Sequence, residues 1–113
     1  MYDLEERTAK FGESILLFCK ENKIDSINKS LISQLIRSGT SVGANYMEAN
    51  GASSRKDFRN KIHICKKEIQ ETKHWIRMLA ICMPGKKSEL RKIWMEAQEL
   101  TCIFGKIVSK LKN

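Results

Sequence analysis

The tightest constraint in this sequence is an unbroken apolar repeat between Phe58 and Met83. Phe58, Ile62, Cys65, Ile69, Thr72, Ile76, Leu79 and Met83 follow one another at alternating steps of four and three. That spacing keeps one stripe of a helix facing the same way over about seven turns, and a strand, whose side chains alternate with period two, cannot match it. A helix this long cannot bury its stripe alone and needs partner helices of similar length.

Three further segments supply such partners. Leu4, Thr8, Phe11, Ile15 and Phe18 recur at the same steps, as do Leu31, Leu35, Ser38, Val42, Tyr46 and Ala49. Leu90, Ile93, Trp94, Ala97, Leu100, Phe104, Ile107 and Leu111 form the last apolar face. Punctuation falls between the segments. Asn22-Lys23 and Asp25-Ser26 mark the first connection, and Asn28 is suited to cap the second helix. Asn50-Gly51 ends that helix, Ser54-x-x-Asp57 resembles a capping arrangement, Pro84-Gly85 stops the third helix, and Ser88 can cap the fourth. Helices are therefore expected over 3–21, 29–49, 55–83 and 89–111, in a single domain covering 1–113. Short connections between four amphipathic helices favour an all-α, up-down-up-down four-helix bundle. Six glycines and one proline are too few for an all-β fold with many hairpins. Two of those glycines, in Ser38-Gly39-Thr40-Ser41-Val42-Gly43, would weaken an isolated helix. Their lack of bulk also permits close helix–helix approach, so the second helix is read as continuous.

Charge gives the first functional clue. The chain carries a formal net charge of +8 and a pI near 9.5, and the excess sits in the second half. Residues 54–83 hold eight basic against three acidic groups, and 84–113 hold seven against three. A field of this sign attracts nucleic acid, an anionic membrane or an acidic protein surface. On the third helix Arg55, Arg59, Lys66, Lys73 and Arg77 fall on one flank of the apolar stripe, a row about 33 Å long at 1.5 Å per residue. Such a row could track a phosphate backbone; a solvated helix edge is the plainer alternative. The opposite flank carries Ile64 and Trp75, well off the core centre. Apolar groups there suggest a subunit interface or, for Trp75, closure of the bundle edge. Lys92, Lys106 and Lys110 share a face of the fourth helix, diluted by Glu96 and Glu99.

Catalytic and metal chemistry find little support. Glu71-x-x-His74 matches a short di-iron motif, but a di-metal bundle needs two such motifs and further inward carboxylates, and this one points away from the core. His63 and His74 share a face but lie about 16 Å apart along the helix. Arg59-x-x-x-His63 is too short for the motif of helical ribonucleases, and no phosphate loop, nucleophile elbow or paired-cysteine site is present. A non-enzymatic protein without cofactor or metal is expected. A polar row on the second helix, Gln34, Ser38, Ser41, Asn45 and Glu48, is better read as a network fixing helix register, with Lys61 a candidate partner for Asn45 and Glu48. The start Met1-Tyr2-Asp3-Leu4-Glu5-Glu6 lacks the basic region of a signal peptide, and apolar runs such as Ile15 to Cys19 are too short to span a bilayer. Cys19, Cys65, Cys82 and Cys102 are widely separated among apolar neighbours, as suits buried thiols in a reducing cytosol. A cytoplasmic protein with no membrane partner is expected.

Two stretches carry a family resemblance. Leu35-Ile36-Arg37-Ser38-Gly39-Thr40-Ser41-Val42-Gly43-Ala44-Asn45-Tyr46-Met47-Glu48-Ala49 is the first, and Ser53-Ser54-Arg55-Lys56-Asp57-Phe58, followed by Ile62, Lys67-Glu68, Glu71-Thr72 and Trp75, is the second. Together they resemble the signature of the four-helix-bundle proteins named for intervening sequences in bacterial large-subunit ribosomal RNA, over about Leu31 to Leu79. The resemblance implies a protomer that assembles into a ring-like homopentamer with no known catalytic activity. It also implies similarity in fold to the accessory variability proteins of diversity-generating retroelements, basic pentamers that bind nucleic acid and associate with a reverse transcriptase. The family's motif positions fall on Ser41, Asn45, Glu48, Arg55, Asp57, Phe58, Lys67, Glu68, Glu71 and Trp75. The leading expectation is a basic oligomer that binds nucleic acid, RNA above all, through Arg55, Arg59, Lys66, Lys73 and Arg77, with Ile64 and Trp75 between subunits. The alternative is an adaptor whose basic face docks an acidic protein.

Overall fold

The computed structural model describes residues 3–111, so the expected domain limits at 1 and 113 lie outside the described residues. Four helices and no strands make up the described chain: α1 (Leu4–Glu21), α2 (Lys29–Asn50), α3 (Arg55–Cys82) and α4 (Lys87–Leu111), with one 3₁₀ turn, Pro84–Lys86, between the last two. Helices adjacent in sequence pack against each other, and α4 returns to α1 across the thinnest seam of the bundle. The product is a rod of 46 × 20 × 20 Å.

Local chemistry sets the helix ends. Asp3 accepts the Glu6 amide at 3.1 Å and starts α1, with Glu5 and Glu6 at the positive end of the helix dipole. Ser54 accepts the Asp57 amide at 3.0 Å and starts α3. At α2 the expected cap is displaced. Asn28 makes no side-chain cap; its amide folds back into the loop, accepting from the Asp25 N–H at 2.9 Å and donating to the Lys23 carbonyl at 3.1 Å. Asp25 does the capping work instead, its Oδ1 accepting the amides of Ile27 (2.9 Å) and Asn28 (2.8 Å). Nor does Ser88 cap α4: the turn at Pro84–Lys86 runs straight into the helix, which begins at Lys87.

The apolar stripes meet along the rod axis, with Ile15, Leu35, Val42, Ile62, Ile69, Leu100 and Phe104 fully enclosed. Two positions slip by one residue: Ile32 is buried in place of Leu31, and Val108 in place of Ile107. A repeat of seven drifts against 3.6 residues per turn, so the core-facing position shifts toward helix ends. The glycines of α2 lie where it crosses α1. A Cβ on Gly39 would stand 2.3 Å from Cδ1 of Ile15, and one on Gly43 would touch the backbone of Thr8 at 3.4 Å. The missing side chains let the two backbones approach, and α2 stays helical throughout.

Candidate nucleic-acid interface

The five cations share one flank of α3, which meets α4 at Lys73 and Arg77. Arg55 and Arg77, at the two ends of the row, are exposed, while Arg59, Lys66 and Lys73 are half-buried along their stems. Among the described residues, no carboxylate comes within ion-pair distance of any of the five. Lys73 differs from the rest. Its ammonium lies 4.7 Å from the ring centroid of Trp94 and donates to Oε1 of Gln98, so it ties α3 to α4.

At Arg77 the row opens into a groove between α3 and α4 of about 650 Å³. Ile76, Ala80, Leu90, Trp94 and Met95 supply apolar walls, and Arg77, Lys87 and Arg91 stand around them. The periodicity of α4 assigns Trp94 to the inner face, whereas the residue is half-buried and lines the groove. Lys87 and Arg91 escape a reading of α3 alone. Their spacing of four, with Trp94 three residues after Arg91, is the signal that places all three on one face of α4.

The other flank of α3 is a polar seam against α2, where the family's motif positions Glu48, Glu68 and Glu71 make cross-helix ion pairs, while Arg55 belongs to the cationic row. Arg37 reaches across to Glu68 at 3.0 Å and Glu71 at 2.5 Å, while its Nε donates to Gln34 at 2.9 Å. Burial opposes the Arg37 charge, but the hydrogen bond to Glu71 and the charge of Glu68 outweigh it, so its pKa is raised. Thr72 Oγ1 lies 2.8 Å from Ser38 Oγ in the buried part of the seam. Lys61 pairs with Glu48 at 2.7 Å, and the hydrogen bond they share raises the lysine's pKa. Asn45 does not join that pair; it donates to the Ser41 carbonyl at 2.8 Å within α2, and Ser41 donates to the Arg37 carbonyl at 2.5 Å. Glu48 is exposed and Asn45 half-buried. Asp57 and Phe58 are half-buried at the start of α3, and Lys67 is exposed.

Ile64 is 37% exposed. Trp75 is not an exposed group: it packs partly buried against the core of its own chain, edge-on to the His74 ring at 4.9 Å, and its buried indole N–H meets no acceptor among the described residues. Glu71 is held by Arg37 and His74 is exposed, so the two do not converge. No cluster of three or more metal-ligating side chains occurs among the described residues. Glu96 and Glu99, which face the lysines of α4 in the sequence, instead hold Arg7 of α1 at 2.8 and 3.0 Å and bridge the thin α1–α4 seam. Burial pushes the Cys19 thiol up to about 11 and the Cys65 thiol up to about 12, while Cys102 is exposed. No helix among the described residues is long and apolar enough to cross a membrane.

The chain is similar to known proteins in both sequence and fold. The sequence pattern of the 23S rRNA-intervening sequence proteins matches residues 3–106. No curated protein matches. Among solved structures, a protein of unknown function from the S23 ribosomal protein family of Bacteroides thetaiotaomicron aligns with a TM-score of 0.82 and 30% identity, over 92% of this chain and 96% of that one. With a match over nearly its whole described length, the chain belongs to the 23S rRNA-intervening sequence protein family.

Proposed function

We propose that this protein is a non-catalytic, homo-oligomeric RNA-binding protein. The observation that carries the reading is the row of five cations on α3 with no carboxylate partner among the described residues. Unneutralised cations at helical spacing each exchange counterions for phosphates, and the family's name, taken from intervening sequences of 23S rRNA, supports RNA as the anion. The assembly is a ring-like homopentamer, as the family resemblance implies, with the exposed Ile64 and the adjoining Trp75 flank between subunits. Five copies multiply the +8 charge of one chain and add weak contacts through multivalency.

Titration of labelled structured RNA and duplex DNA at two salt concentrations tests the reading. Micromolar or tighter affinity that falls steeply with salt is expected, and Arg59→Glu with Lys66→Glu weakens it and lowers the salt slope by about 1 to 2. Absence of binding at low salt would sink the RNA reading; the basic face would then belong to an acidic protein partner, such as a polymerase subunit. Light scattering tests the assembly: a mass several times the 13.0 kDa of one chain is expected, with Ile64→Glu shifting it downward. A monomeric wild type overturns the ring.

A further inference from the structure

We infer that the groove at the end of the cationic row takes an unstacked base of single-stranded RNA, with the neighbouring phosphates held by Arg77, Lys87 and Arg91. The inference rests on the RNA-binding reading and adds to it the form of RNA bound. Phosphate contacts alone do not distinguish a strand from a duplex, because both present the same charged backbone. An aromatic surface beside cations does, because a paired base has its faces covered by its neighbours in the stack and a single-stranded base does not.

Three observations meet at this place. Trp94 contributes to the groove walls, while Lys73, which covers part of the ring, does not line the groove. Met95, 49% exposed, and Ala80 extend the apolar surface on either side. Arg77 belongs both to the row and to the groove, so a strand following the cations along α3 arrives there without a gap. Among the described residues Arg77, Lys87 and Arg91 have no carboxylate partner, which leaves their charge for an anion.

Size favours a nucleotide over an acidic helical peptide. The groove walls run from Ile76 to Ala80 on α3 and from Lys87 to Met95 on α4. At 1.5 Å per residue the longer wall is about 12 Å, little more than two helical turns. A docked amphipathic helix anchored from i to i+7 spans about 10.5 Å and would overrun the shorter wall, about 6 Å from Ile76 to Ala80, whereas one or two nucleotides fit a volume of this size.

The test uses the full chain, a labelled twelve-nucleotide oligouridylate, and a twelve-base-pair RNA duplex. Trp94→Leu is expected to lower affinity for the single strand by about 5- to 160-fold, the range for losing one stacked base, and to leave the duplex within about twofold. Trp94→Phe, which keeps an aromatic face, should recover most of the loss. Trp94 is half-buried, so a measurement that leaves it in place accompanies the variants. In Trp75→Phe, Trp94 is the sole tryptophan, and its fluorescence should be quenched by the oligouridylate and not by the duplex. Equal affinities for wild type and Trp94→Leu, without quenching, overturn the groove assignment while RNA binding itself stands. Failure of the wild type to bind either RNA overturns both readings. Quenching by an acidic Leu-Glu peptide and not by RNA overturns the assignment in favour of a protein ligand.

Discussion

Arg37 on α2 and Glu68 on α3 form an ion pair across the seam of the bundle, Nη1 to Oε2 at 3.0 Å, and the glutamate side chain is only 10% exposed. The arginine is 47% exposed and its second nitrogen holds Glu71. One cation therefore satisfies two carboxylates on successive turns of α3, one desolvated and one half-buried. The geometry ties two family motif positions to the packing of α2 on α3.

Removing the arginine leaves Glu68 charged and poorly solvated. Arg37→Ala is expected to destabilise the fold by about 2 kcal/mol, below the 3–5 kcal/mol of a fully buried pair because solvent reaches the guanidinium. Adding Glu68→Gln should recover part of that loss. Urea denaturation followed by circular dichroism measures both, and an unchanged midpoint for Arg37→Ala would show the pair to be incidental.

The same seam contains a buried hydroxyl pair, Thr72 and Ser38, 2.8 Å apart. Thr72→Val keeps the volume and strands Ser38, whose remaining contact, to the Leu35 carbonyl, is 3.5 Å long. A loss of about 1 kcal/mol is expected, and Ser38→Ala combined with Thr72→Val should cost less than the two single changes summed. Strict additivity would remove the coupling.

Two helix-interior glycines should respond oppositely to alanine. At Gly39 the new methyl would meet Cδ1 of the enclosed Ile15 at 2.3 Å, and a loss of about 1–3 kcal/mol is expected, relieved by Ile15→Val. At Gly105 no described residue lies within 4 Å of the added methyl, and alanine should stabilise α4 by roughly 0.5–1 kcal/mol. Thermal melts of the two variants should move in opposite directions.

Burial holds the Cys19 and Cys65 thiols protonated, up to about 11 and about 12 against an ordinary 9.0. Above pH 9 the unfolded chain releases these protons while the folded chain keeps them. The stability they contribute is therefore complete below pH 9 and is lost as pH rises from 9 toward 11–12. The urea midpoint should fall over that interval, and Cys65→Ala should flatten the fall. At pH 8 a disulfide reagent should modify the exposed Cys102 first and leave Cys19 and Cys65 unreacted until the chain unfolds.

Much of this bundle is legible residue by residue because helical geometry is local. The four-three repeat from Phe58 to Leu79 announces α3 and its buried stripe, and the same 100° rotation per residue lines up Arg55, Arg59, Lys66, Lys73 and Arg77 without reference to any other helix. The α1–α2 crossing was half legible: small residues at Gly39 and Gly43 signal close approach, while Ile15 as the side chain in contact with Gly39 does not follow from spacing.

Cross-helix partners are another matter. Nothing in α3 alone says that Glu68 and Glu71 will meet Arg37, that Lys73 will lie over Trp94, or that Glu96 and Glu99 will turn from the lysines of α4 to Arg7. Those outcomes depend on the relative rotation and sliding of whole helices, which minimise the summed packing energy of every stripe at once. A shift of one residue along α4, as at Ile107 and Val108, turns a side chain by 100° and changes what it faces. The pattern of amino acids determined which faces are apolar and which are basic; the packing of four helices against one another decided which charges are paired and which remain open to a ligand.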